Sequence, residues 1–156
     1  MKTLKGMVLR GVIIVLIASA AGLGVNLVRS SPIPYIYDPP KVIEVAGRQI
    51  PVIDAKAAKE LLDLGEAVFV DAREAPDFHD AHIPGAVSLP ETNMQEAFIT
   101  VQPLMPEESK LIVYCSGPEC EMAETVAGFL SQMGYEHLYV FTEGVNGWKK
   151  ADYPLE

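Results

Sequence analysis

An uncharged run of 18 residues, Gly11–Val28 (GVIIVLIASAAGLGVNLV), divides this chain before anything else can be read from it. As a helix it would extend roughly 27 Å, close to the roughly 30 Å of a bilayer's hydrocarbon layer. Ser19, Asn26 and the glycines weaken the run, but Asn26 lies near its end, where a polar group reaches the interface. Ala18-Ser19-Ala20 resembles the cleavage region of a secretory signal, and a buried helix of a soluble fold is a third alternative. The apolar stretch continues through Leu23, Val25, Leu27 and Val28, which a cleaved signal does not need, so residues 1–30 are expected to be an uncleaved anchor. Lys2, Lys5 and Arg10 precede the run and Arg29 follows it, favouring an N-terminus on the inside. The remaining chain would then face outward, in a bacterium the periplasm or cell exterior; signal cleavage would leave a secreted protein instead.

Charge separates the same two parts. The chain has 12 Lys+Arg against 21 Asp+Glu, a formal charge of −9. Residues 1–30 contain four of the cations and no acid, leaving eight cations against 21 acids, −13, for residues 31–156. A body that acidic repels a phosphate backbone, which excludes nucleic acid as a main partner. With 49% hydrophobic residues and charges of both signs throughout, it does not have the composition of a disordered chain. Its length suits one domain. Residues 31–40 (SPIPYIYDPP) form a semi-rigid Pro-rich spacer. Tyr35 and Tyr37 there would sit at a membrane interface or pack on the domain.

From residue 41 to 156 strand and helix patterns alternate. Val42–Val45 is a short strand closed by a turn at Gly47. Asp54 can cap a helix over 55–64, with Ala58, Leu61 and Leu62 inward and Gly65 ending it. Ala67–Val70 is a buried strand leading into Asp71-Ala72-Arg73. Pro84-Gly85 turns into a strand at 86–89, and residues 93–101 form a weak helix. Lys110–Tyr114 (KLIVY) is the clearest buried strand. A helix over 121–133 has Ala123, Val126, Ala127 and Leu130 inward and ends at Gly134. Leu138–Phe141 is the last strand, followed by a short helix at 147–151. The alternation predicts an α/β fold with a parallel sheet.

The strongest chemical signal is Cys115, at the C-terminal end of the clearest strand, followed by Ser116-Gly117-Pro118-Glu119-Cys120-Glu121 and a helix. Ligands of open α/β sheets bind at such strand ends. Loop N–H groups and the positive end of the next helix can converge there and stabilise a thiolate, the reactive form of the sulfur.

From about Pro51 to Glu156 the chain resembles the rhodanese-like family. The resemblance lies in VFVDAREAPDFHDAHIPGAVSLP (68–90), in Tyr114–Cys120, and in EGVNGWKKADYPLE (143–156). It implies a doubly wound parallel sheet, here preceded by one N-terminal transmembrane helix. It also implies sulfur transfer, with Cys115 as the catalytic residue: the thiolate takes a sulfane sulfur, holds it as a persulfide and passes it on. Backbone amides of Ser116, Gly117, Pro118, Glu119, Cys120 and Glu121 would form the persulfide-binding loop. Asp71 and Arg73 match a structural pair. His82 reads as a structural hydrogen-bonder and Trp148 as core.

Two departures, Ala81 before His82 and Glu143 in place of a Gly, leave the fold untouched. The loop departs more seriously. It has no Arg or Lys to hold an anionic donor, and Glu119, Glu121 and Glu124 surround its two cysteines. One unit charge about 7 Å away costs an anion roughly 0.6 kcal/mol in water and roughly 2.4 kcal/mol at an effective dielectric of 20. Free thiosulfate is therefore expected to be a poor donor, and a small-molecule or protein thiol or persulfide a better partner. The related phosphatases place Arg after Cys and five residues; here that position is Glu121, which argues against phosphatase chemistry. Cys120 could act as a resolving thiol, forming a disulfide with Cys115, provided the two Cα atoms approach within about 7 Å. A non-catalytic binding or thiol-redox module using the same pair is the alternative function. His79 and His82 share no helical pattern, and Cys115 and Cys120 lack a second ligand pair, so no metal is expected. No Gly-rich phosphate loop occurs, and no cofactor is expected.

Overall fold

The computed structural model describes residues 2–28 and 41–156. The spacer, with Tyr35 and Tyr37, lies outside the described residues. The chain divides into two compact units, one before and one from Pro40.

Among the described residues the first contains one helix, α1 (Lys2–Val28). Its Gly6–Val28 portion has a mean hydropathy of 2.3 over its best window, long and apolar enough by length and composition to cross a membrane. A cleavable signal has the same profile. Its apolar residues encircle the axis rather than forming one stripe, and its large hydrophobic side chains from Met7 to Val28 are exposed.

The second unit opens with a hairpin of β1 (Val42–Val45) and β2 (Arg48–Pro51), paired antiparallel from Val42↔Pro51 to Val45↔Arg48. Ala46 and Gly47 both take positive φ, 52° and 76°, the turn whose twist suits a two-residue hairpin. β2 was not predicted: Arg48-Gln49-Ile50-Pro51 is too polar to read as a strand, but Ile50 is buried and Arg48 donates to the carbonyls of Tyr135 (3.0 Å) and Glu136 (2.8 Å).

The main sheet contains β3 (Ala67–Asp71), β4 (Val87–Ser88), β5 (Lys110–Tyr114) and β6 (Leu138–Phe141), all parallel, in the order β4-β3-β5-β6. Val52 adds a parallel bridge to Val140 at the outer edge of β6. Helices α2 (Ala55–Asp63), α3 (Ala75–Asp80), α4 (Met94–Val101), α5 (Met122–Gln132) and α6 (Gly144–Lys150) complete the unit. The predicted Asp54 cap is present, accepting from Ala57 N–H at 2.8 Å. Pro76 lies in the first turn of α3, where its missing N–H costs nothing. The last helix begins at Gly144, three residues before the predicted start.

Strand alternation decides which face each residue meets. Leu111, Val113 and Cys115 join the core under α4 and α5, with Val70, Val126, Ala127 and Leu130. Ile112 and Tyr114 join the opposite core, with Ala58 of α2 and Val145 and Trp148 of α6. Both faces are covered, which makes the sheet doubly wound. Large side chains such as Phe69, Trp148 and Leu111 are fully buried, each stabilising the fold by about 1.5–3 kcal/mol.

Candidate active site

The sheet changes winding direction between β3 and β5, and the residues that matter chemically follow those two strands. Asp71 lies level with Tyr114, Tyr114 with Phe141, and Asp71 with Ser88, so one row marks the C-terminal edge of the sheet. Such a switch point is where open α/β sheets bind ligands.

Beyond β3 the edge is closed. The fully buried Asp71 carboxylate accepts Arg73 Nε at 3.0 Å, Arg73 Nη2 at 2.6 Å and the Arg73 backbone N–H at 3.0 Å. Arg73 Nη2 also donates to Ala81 O at 2.8 Å, tying the pair to the loop after α3. Burial opposes the Arg73 charge, but the hydrogen bond and charge of Asp71 outweigh it and raise the guanidinium pKa further. Tyr114 OH accepts from Ile83 N–H at 3.2 Å. Burial, then the charge of Asp71 and a hydrogen bond to it, push the phenol pKa far up, so the hydroxyl stays neutral. His82 is pinned nearby: its Nδ1 contacts Phe78 O at 2.8 Å and its ring stacks on Phe78. His79 is exposed on α3, which ends before His82.

Beyond β5 the edge is open. Cys115 continues the alternation of Leu111 and Val113, so its side chain points toward the α5 face, where the loop brings Cys120 back. The two cysteines are joined as a disulfide with Cα atoms 6.4 Å apart, inside the roughly 4.4–6.8 Å that such bonds need. Cys115 is buried, at 1% exposure, while Cys120 is half-exposed. In this oxidised loop Cys115 Sγ lies 3.2 Å from Cys120 O and 3.8 Å from Gly117 O. Cys120 N–H is already committed to Gly117 O (3.0 Å) and Pro118 has no N–H, so two of the six residues expected to cradle a persulfide have no N–H to offer in this state. Glu119 and Glu121 are exposed and Glu124 is half-buried in the first turn of α5.

Residues from α6 complete the site. Cys115 O accepts Val145 N–H and Ser116 O accepts Asn146 N–H, both at 3.0 Å, so the strand end caps the helix. This close approach requires Gly144, with φ +56°, because a Cβ there would overlap the Cys115 carbonyl. Ser116 to Cys120 and Asn146 line an open hollow of about 450 Å³. Pro118 and Asn146 also line the adjoining cleft of about 600 Å³, whose charged residues are Glu143 and Lys150. Sequence reading missed Asn146 and Lys150 as site residues and noted Glu143 only as a departure. Nothing local to the cysteine loop could have signalled them, since they come from a helix at the other end of the domain.

A family model for the rhodanese-like domain matches residues 54–151. Among curated proteins, thiosulfate sulfurtransferase GlpE of Haemophilus influenzae strain PittEE is 32% identical over 104 residues, covering 67% of this chain and 92% of GlpE. YibN of Escherichia coli strain K12 is 28% identical over 107 residues, covering 69% of this chain and 73% of its own. Among solved structures, the BH2092 protein from Bacillus halodurans superposes with a TM-score of 0.61 at 26% identity, covering 67% and 74% of the two chains. The rhodanese-like domain of the Anabaena Alr3790 protein gives 0.58 at 25% identity, covering 68% and 78%. With the family model spanning most of the second unit and the doubly wound sheet beneath the cysteine loop, the chain belongs to the rhodanese-like domain family.

Proposed function

We propose that this chain is a membrane-tethered sulfurtransferase that carries sulfane sulfur as a persulfide on Cys115. The single observation that supports this most is the position of Cys115: at the C-terminal end of the central strand, beside the winding switch, under an open loop. The similarity to thiosulfate sulfurtransferase GlpE points the same way. In the first step the Cys115 thiolate attacks the sulfane sulfur of a persulfide donor. The donor's S–S bond breaks, its thiolate leaves, and Cys115–S–SH remains. An external thiolate can then take the outer sulfur and restore the Cys115 thiolate. Alternatively, Cys120 attacks Cys115 Sγ, expels hydrosulfide and leaves the disulfide, which an external thiol must reduce before the next turnover. The acidic loop makes a neutral or protein-borne persulfide a better donor than thiosulfate. Lys2, Lys5 and Arg10, ahead of the apolar run, favour a domain in the periplasm or outside the cell, anchored through Gly11–Val28.

The disulfide favours a second reading, a thiol-redox or binding module without sulfur transfer. Mass spectrometry separates the two. The full chain in detergent is reduced, freed of reductant and treated with thiosulfate, inorganic polysulfide or glutathione persulfide. A gain of about 32 Da on Cys115, one sulfur atom, absent in Cys115→Ser, is the expected result. A loss of about 2 Da with no adduct and no hydrosulfide released from any donor would leave the redox module, since resolution of a persulfide by Cys120 releases hydrosulfide.

A further inference from the structure

The domain is strongly acidic, yet it leaves one unneutralised cation beside the cysteine loop. Five of the eight Lys and Arg between residues 41 and 156 are engaged by acids or carbonyls. Among the described residues Lys41, Lys149 and Lys150 have no ion-pair partner, and Lys150 is the one that lines the cleft next to the loop. Glu143, Asn146 and Lys150 fall at i, i+3 and i+7, one face of α6, with Glu143 and Lys150 about 10 Å apart along the axis. The Glu143 side chain lies over Gly147, where any Cβ would collide with it. An anionic and a cationic end thus face the same cleft, with an amide between them.

The cleft opens into the hollow that Cys120 lines, and the two share Pro118 and Asn146. The accessible sulfur of the disulfide is therefore that of Cys120; Cys115 is covered. We infer that the disulfide is opened at Cys120 by a small thiol carrying both an ammonium and a carboxylate, a thiol amino acid or short thiol peptide seated between Glu143 and Lys150. Its ammonium meets Glu143 and Asn146 Oδ1, and its carboxylate meets Lys150. A purely anionic thiol meets the repulsion of Glu143 and the acidic loop, and a purely cationic one leaves Lys150 opposed. In the reaction the small thiolate attacks Cys120 Sγ, forming a mixed disulfide; the Sγ–Sγ bond breaks and Cys115 leaves as the thiolate. A second small thiolate attacks the small-thiol sulfur of the mixed disulfide, frees Cys120 as thiolate and departs as the small disulfide. Two small thiols are oxidised and the cysteine pair is reduced.

The inference rests on the pairing of the two cysteines and not on sulfur transfer, so the two can fail separately. The oxidised full chain in detergent is mixed with cysteine, cysteamine, mercaptoacetate or 2-mercaptoethanol. Samples are quenched in acid and alkylated, the adducted cysteine is located by peptide mass, and rates are compared per thiolate. The expected result is an adduct on Cys120 and a rate for cysteine about fivefold above those for cysteamine and mercaptoacetate. Lys150→Ala should remove the advantage of cysteine over cysteamine and slow cysteine more than it slows 2-mercaptoethanol. Adduct on Cys115, equal rates for all four thiols, or a Lys150→Ala variant slowed equally toward every thiol would each overturn it.

Discussion

Two neighbouring parallel strands end in the same row of the sheet and are treated in opposite ways. At the end of β3, the polar groups are buried and engaged with one another: Asp71 is at 0% exposure and both oxygens of its carboxylate accept from Arg73. At the end of β5, one strand spacing away, the loop stays open over a disulfide with one covered and one accessible sulfur. The difference separates a strand end that is packed shut from one left open to solvent. Arg73 and Tyr114 tie the loop after α3 to the strand ends, a tie in which the cysteine loop takes no part.

The largest effect is expected where the closed end is broken. Arg73→Ala leaves a buried carboxylate without its partner and should cost about 3–5 kcal/mol in urea denaturation. Arg73→Lys should restore only part, because an ammonium cannot make the paired contacts of a guanidinium. A loss under about 1 kcal/mol would mean that the β3 end is not the support described.

Gly144→Ala tests the joint between α6 and β5. The new methyl would overlap the Cys115 carbonyl, and the positive φ is itself unfavourable. A loss of about 2 kcal/mol or more is expected, with a changed alkylation rate at reduced Cys115. Unchanged alkylation would uncouple α6 from the open end.

Tyr114 sharpens the comparison through pH. Its folded pKa is raised above the ordinary value of 10, so the folded state keeps a proton that the unfolded state loses in alkali. The stabilisation is complete below pH 10 and falls by about 1.4 kcal/mol for each pH unit above that. In Tyr114→Phe the slope of stability against pH between about 10 and 11 should be shallower. Buried Tyr135, whose pKa is also raised, keeps some slope in both proteins. Equal slopes would show that Tyr114 is not held neutral by the closed end.

The smallest effect belongs to the open end's charges. Glu119 and Glu121 are exposed, so solvent screens them. Glu119→Gln and Glu121→Gln should each raise Cys115 loading by thiosulfate about threefold, less in high salt. No change at low salt would remove the electrostatic argument against thiosulfate.

Much of the scaffold was legible locally. β5 and β6 have the predicted limits, because continuous apolar runs bounded by polar residues have few alternatives. Asp54 caps α2 and Gly134 ends α5 with a positive φ, as side-chain chemistry alone implies. The misses share a cause. β2 is a strand because the rest of the domain covers Ile50 and receives Arg48, and α3 is too short for an apolar period to appear. Gly144 starts α6 because Cys115 and Ser116 supply the acceptors, a reason that lies 29 residues away in sequence.

The sequence by itself determined the division into an apolar front segment and an acidic α/β domain, the strand that carries Cys115, and the family. Those rest on periodicity, charge and ordered motifs, all of which act along the chain. Only the tertiary structure decided that Cys115 and Cys120 meet, that one sulfur is covered and the other is not, and that Glu143, Asn146 and Lys150 face the same opening. Such relations depend on how distant segments are turned toward one another, and no local pattern encodes them because burial and proximity exist only once the sheet has closed its two cores.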